Sequence, residues 1–175
     1  MLTKILCAID GSEHAEKAAQ WASVLAQKFD AELILLFVVP HRMAPPELRR
    51  MAEAEHLVRP APPAPPPVAP QPSMPSWSPE DLSQSVAASA TIYQELGERL
   101  VEAARLQAAD AGVAKVRGLV EDGDPAHRIV EIAGREGVEL IVMGRRGLGD
   151  LKGLLLGSVS HKVAQAATCA CLTVE

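Results

Sequence analysis

The sequence predicts an α/β domain, a doubly wound parallel sheet of five strands with helices on both faces. Two observations carry that prediction. Five short apolar runs alternate with helical stretches along the chain, and that alternation builds a parallel sheet through helical crossovers. The first run, residues 2–9, is nearly all apolar rather than alternating, which suits a strand covered on both faces. A length of 175 residues is enough for one such domain with a substantial core.

Asp10, Gly11 and Ser12 end the first run. Ser12 can cap the following helix, in which Ala15, Ala18, Ala19, Ala22, Leu25 and Ala26 recur at helical spacing up to Phe29. Trp21 is expected in the core or at its edge. Residues 33–39 read as the second strand, stopped by Pro40. Strand, helix and strand at this spacing imply a right-handed parallel crossover.

Composition then changes sharply, because residues 40–80 hold all of the 14 prolines except Pro125. Within this stretch residues 47–58 read as a short charged helix. Residues 60–75 lack apolar periodicity and are poor in backbone donors, so the expectation is an extended polyproline II or flexible insert at about 41–79. Such a segment serves as a lid or spacer, or docks a protein partner through proline recognition, and an exposed Trp77 would favour docking.

Ser78, Pro79, Glu80 and Asp81 place a cap, a proline at the first helical position and two acids at the positive end of a helix dipole. That helix is expected to reach Ala111 and stop at Gly112, with Gly97 as a bend. About 30 helical residues span roughly 45 Å, more than a small sheet needs, so an end overhangs in solvent or packs on a partner. Residues 115–120 are the third strand and Glu121, Asp122 and Gly123 its turn. Asp124 and Pro125 start a helix carrying Ile129, Val130, Ile132 and Ala133 to Gly137. Residues 139–143 are the fourth strand and 171–174 a short fifth. His127 and His161 have no clustered carboxylate or cysteine, which places them at the surface or an edge rather than in a metal site.

A net charge of -5 with no basic patch argues against nucleic acid or an anionic membrane as the main partner. No stretch approaches the roughly 20 apolar residues of a membrane helix. The opening run is broken by Lys4 and closed by Asp10, unlike a signal peptide, so a cytoplasmic protein is expected. Cys7, Cys169 and Cys171 form no C-x-x-C motif, and their odd number argues against a disulfide framework. Cys7 falls in a buried strand, and Cys169 and Cys171 lack histidine partners for a metal.

Residues 144–160, GRRGLGDLKGLLLGSVS, lie between the fourth strand and a helical pattern ending at Ala167. Strand, glycine-rich loop and helix suit a phosphate. Glycines let backbone amides approach an anion, and a helix N-terminus offers unpaired N–H groups and a positive dipole end. Arg145, Arg146 and Lys152 outweigh Asp150 in local charge. The spacing is neither a Walker A loop nor G-x-G-x-x-G.

Gly144-x-x-Gly147, nine residues, then Gly157-Ser158 resembles the nucleotide-binding signature of the ATP-binding branch of the universal stress protein family. Residues 4–12, KILCAIDGS, resemble that family's first strand and acidic turn, and the similarity covers residues 2–39 and 81–175. The resemblance implies a single domain over 1–175, interrupted by the insert, with sheet order 3-2-1-4-5 of the Rossmann-like, adenine nucleotide alpha hydrolase-like kind. In that order strands 1 and 4 are neighbours whose crossovers diverge, which opens a ligand crevice. Asp10 and Gly144 end those two strands.

By the same resemblance, Ala8, Ile9 and Asp10 border the nucleoside, with Asp10 facing ribose hydroxyls or a nucleotide-bound Mg²⁺. The backbone of Val38 meets adenine, and Met143 packs on ribose or base. Gly144, Arg145, Gly147, Gly157, Ser158 and Val159 surround the phosphates, with Ser160 as a further candidate. Adjacent Arg145 and Arg146 do not both face inward, so one points to solvent. Two departures stand out: Cys169-Ala170-Cys171 replaces the Cys-Pro-Val common at the last strand, and the proline-rich insert is longer than usual. The implied function is ATP (or ADP or AMP) binding, with Mg²⁺, by a homodimer paired through its last strand and acting as a stress-response switch. A slow ATPase or phosphotransfer enzyme is one alternative. An interaction module using the proline-rich segment is the other.

Overall fold

The computed structural model of the chain describes residues 2–40, 79–148 and 156–175. In chain order these form β1 (Lys4–Ile9), α1 (Glu13–Phe29), β2 (Glu32–Pro40), α2 (Pro79–Asp110), β3 (Val116–Gly123), α3 (Pro125–Glu136), β4 (Leu140–Gly144), α4 (Ser158–Ala166) and β5 (Ala170–Val174). The expected helix at 47–58, the extended run at 60–75, Trp77 and the Ser78 cap lie outside the described residues.

The strands make one parallel sheet in the order β3-β2-β1-β4-β5. Alternate side chains point to opposite faces of a strand, so each face needs its own helical cover. On one face Ile5, Cys7, Leu33, Leu35, Phe37 and Val142 pack under α1 and α2. On the other, Leu6, Ile34, Leu36, Ile141 and Met143 pack under α3 and α4. Five alanines, Ala15, Ala18, Ala19, Ala22 and Ala26, form the buried stripe of α1 with Ser23, which brings that helix close to the sheet.

The helix ends follow local chemistry. Ser12 Oγ accepts from the Ala15 amide at 3.2 Å, and Asp124 Oδ1 accepts from the His127 amide at 3.0 Å. Gly137 closes α3 at φ 68°, a left-handed conformation that costs glycine little.

Three expectations are corrected. Trp21 is 55% exposed, because it lies off the alanine stripe of α1. The third strand does not stop at Val120: β2 extends to Pro40, and Glu121, Asp122 and Gly123 pair with Val38, Val39 and Pro40. Gly97 marks a contact rather than a break, since α2 is one helix and a Cβ at 97 would stand 2.5 Å from Phe37 Cδ1.

Candidate functional site

At the rim where β1 and β4 end, the chain turns twice toward the same point. After β1, Asp10 Oδ1 accepts from the Ser12 amide at 3.0 Å, which shapes the turn into α1. Its other oxygen accepts from the Leu148 amide at 3.2 Å, across 138 residues of chain. One carboxylate thus ties the acidic turn to the glycine loop. A Cβ at Gly147 would stand 2.3 Å from Asp10 Oδ2, so glycine lets the loop lie against the carboxylate where it now stands. Gly144 is as confined, with the Arg146 carbonyl oxygen 2.8 Å and His14 Cβ 2.9 Å from its missing side chain.

Between these turns opens a crevice of about 300 Å³. One end is formed by Leu156, Gly157, Ser158, Val159 and Ser160 at the start of α4. Gly157 is the N-cap of that helix and has no side chain to satisfy the first-turn amides. These donors, with the positive end of the helix dipole, give the polar end of the crevice a chemistry suited to an anion. The far walls are apolar, from Leu36, Val38, Pro125, Ile129 and Met143. The register pairs Ile9 with Phe37, so β2 runs past the end of β1 and its backbone from Val38 onward has no β1 partner.

Of the positions singled out in the sequence, Ala8, Ile9, Asp10, Val38, Met143, Gly144, Gly147, Gly157, Ser158, Val159 and Ser160 line this crevice, and Arg145 does not. The guanidinium of Arg145 turns outward to Glu175, with Nη2 2.6 Å from Oε1, while Arg146 lines the crevice. Ser160 Oγ donates to the carbonyls of Arg145 at 2.9 Å and Gly157 at 3.0 Å, so its hydroxyl holds loop to helix. Ser158 is exposed at the helix start.

Pro125 and Ile129 are wall residues that the glycine motif could not reveal. The signal for them was the Asp124-Pro125 helix start, which follows a strand end on the same rim of the sheet. Elsewhere, burial pushes the Cys7 thiol up to about 12, and burial raises Cys169 and Cys171 as well. Among the described residues no group of three or more His, Cys, Asp or Glu could hold a metal ion, and no helix is long and apolar enough to cross a membrane.

A model of the universal stress protein family matches residues 1–61 and 56–175. Universal stress protein YxiE of Bacillus subtilis is 33% identical over 177 residues, spanning 100% of both chains. Among solved structures, universal stress protein UspA from Lactobacillus plantarum superposes with a TM-score of 0.73 at 18% identity, over 99% of this chain and 97% of that one. A universal stress protein solved in complex with cAMP gives 0.60 at 23% identity, over 99% and 97%. One from Arabidopsis thaliana solved with AMP bound gives 0.55 at 20% identity, over 98% and 90%.

Proposed function

The chain belongs to the universal stress protein family, and on that premise we propose that its crevice binds an adenine nucleotide. We assign ATP with Mg²⁺ as the ligand and a stress-response switch as the role. The observation that carries this reading is the meeting of Asp10 and the glycine loop at a crevice with an uncapped helix start at one end and apolar walls at the other. A nucleotide has the matching polarity along its length. The neighbours solved with cAMP and AMP support the adenine assignment.

In this reading the phosphates lie on the amides of Ser158 and Val159, with the Ser158 hydroxyl as a further donor, while the Gly157 amide stays on the Arg145 carbonyl. Arg146, rather than Arg145, supplies side-chain charge at that end. The base lies between Val38, Pro125, Ile129 and Met143, where β2 backbone beyond Phe37 can read its edge. Asp10 borders the ribose. Each Asp10 oxygen accepts one amide and retains a second lone pair, so the carboxylate suits ribose hydroxyls or a hard cation. Bound Mg²⁺ would offset phosphate charge there. The outer edge of β5 has no partner strand among the described residues, and we assign it to pairing with a second copy of the chain.

The test is to denature freshly purified protein and identify any released nucleotide by chromatography and mass spectrometry, beside Gly157→Val. A Cβ at 157 stands 3.2 Å from the Arg145 carbonyl oxygen and 3.3 Å from Ser160 Oγ, so a branched side chain crowds the anion site. The wild type is expected to release close to one ATP per chain, and the variant none while keeping its circular dichroism. No released nucleotide, together with no thermal stabilisation by added ATP and Mg²⁺, would overturn the proposal.

A further inference from the structure

Arg145 joins three elements through separate groups. Its amide donates to the Val174 carbonyl at 2.6 Å, at the end of β5. Its own carbonyl accepts from the Gly157 amide at 2.8 Å and from Ser160 Oγ at 2.9 Å, at the N-cap and first turn of α4. Its guanidinium pairs with Glu175, the residue after β5, at 2.6 Å. All this follows directly from β4, which ends at Gly144. The residue therefore stands behind the crevice, gripping the anion-binding turn with one group and the edge strand with two others.

Amides that bind an anion must all point at it, and that fixes the peptide planes at the start of α4. The Arg145 carbonyl is hydrogen-bonded to the same turn, so ordering the turn orders Arg145, and Arg145 carries Val174 and Glu175 with it. We infer that Arg145 is a positioning residue that couples occupancy of the crevice to the order of the β5 end. The inference rests on the nucleotide reading given above. Coupling of this kind is reciprocal: whatever fixes the β5 edge raises nucleotide affinity by the factor that nucleotide stabilises the edge. The Arg145–Glu175 pair is suited to the test because an ion pair with one partner 69% exposed contributes little to stability, so breaking it leaves the fold standing.

The measurement is amide hydrogen exchange, read by mass spectrometry on the full chain with and without saturating ATP and Mg²⁺. In the wild type, nucleotide is expected to slow exchange at residues 157–160 and, by about fivefold or more, at residues 170–175. Glu175→Gln and Arg145→Met keep the Arg145 backbone bonds, so they should still show protection at 157–160 but lose at 170–175 the share that the guanidinium carries. The reversed pair, Arg145→Glu with Glu175→Arg, should restore it. A purely structural role would change exchange at 170–175 equally with and without nucleotide, and that outcome overturns the inference. So does a wild type protected at 157–160 but not at 170–175. Absence of ATP binding and of protection at both segments would overturn the nucleotide reading and the coupling together.

Discussion

A Cβ at Gly147 would stand 2.3 Å from Asp10 Oδ2, so any side chain there displaces the Asp10 carboxylate. Gly147→Ala is therefore expected to lift the loop from Asp10 and break the bond from the Leu148 amide. An unmade bond of this kind costs about 1–3 kcal/mol, so ATP affinity should fall roughly tenfold to a hundredfold by calorimetry. A variant that binds as the wild type does would mean the Asp10 tie is dispensable. The thiols give a separate check. With its value pushed up to about 12, Cys7 stays a neutral thiol at pH 8, and only the thiolate is reactive. Native protein should take up iodoacetamide at Cys169 and Cys171 first, and at Cys7 only after unfolding. Stability tied to the neutral Cys7 thiol is fully present below its unfolded value and is lost as pH climbs toward about 12. The glycines could be read from the sequence because close backbone approach dictates their type, and Asp10 from the resemblance of its turn. Which of Arg145 and Arg146 faces the crevice could not, because the deciding partner, Glu175, reaches Arg145 only through the pairing of β4 with β5.

Helix α2 rests on β2 and β3 through Leu96, Val101 and Ala108, and two glycines allow its approach. Gly97 faces Phe37, and Gly118 of β3 faces Val101 Cγ1, 2.1 Å from where a Cβ would be. Gly97→Ala replaces one hydrogen by a methyl group against a fully packed ring. By comparison with other overpacked cores it should destabilise the fold by about 1–3 kcal/mol in urea titration, despite alanine's better helix propensity. A neutral or stabilising result would show that Phe37 can turn aside. The bend expected at Gly97 was a reading of composition alone, and the tertiary contact explains the glycine better. Capping residues were more legible. Asp124, Pro125 and Gly137 bound α3 as their chemistry requires, whereas Glu121, Asp122 and Gly123 carry turn composition yet pair with the extended end of β2. A local pattern cannot report that a neighbouring strand is long enough to hold them.

For the molecule as a whole, carboxylates tie elements together on the rim opposite the crevice. Glu139 accepts from the backbone amide and hydroxyl of Thr3, which joins the start of β4 to β1 and holds its carboxyl below the usual range. Arg117 bridges Glu32 of β2 and Glu136 of α3, and its hydrogen bond likewise lowers Glu136. Depressed values of this kind contribute stability above the unfolded carboxylate value, near 4.5, that is lost as pH falls through the folded values. Urea midpoints should drop below about pH 4.5 in the wild type and by less in Glu139→Gln, which has no charge to neutralise. Equal slopes would exclude Glu139 as a source of acid sensitivity. At this scale the alternation of strands and helices made the α/β class legible, but not the order of the strands. Periodicity says which residues are buried and nothing about which strands are neighbours, so the order 3-2-1-4-5 followed from the resemblance of two motifs.

The chain leaves the sheet at Pro40, two residues beyond the crevice wall at Val38, and resumes at Pro79 in α2, after the longest proline-rich stretch in the sequence. The entropy of closing a connection grows slowly with its length, by about 0.6 kcal/mol per doubling. The joint is therefore where a protein engineer would splice. A fluorescent reporter exchanged for residues 41–78 would leave every strand pairing untouched while starting two residues from the crevice wall, turning the fold into the frame of a sensor for the proposed nucleotide.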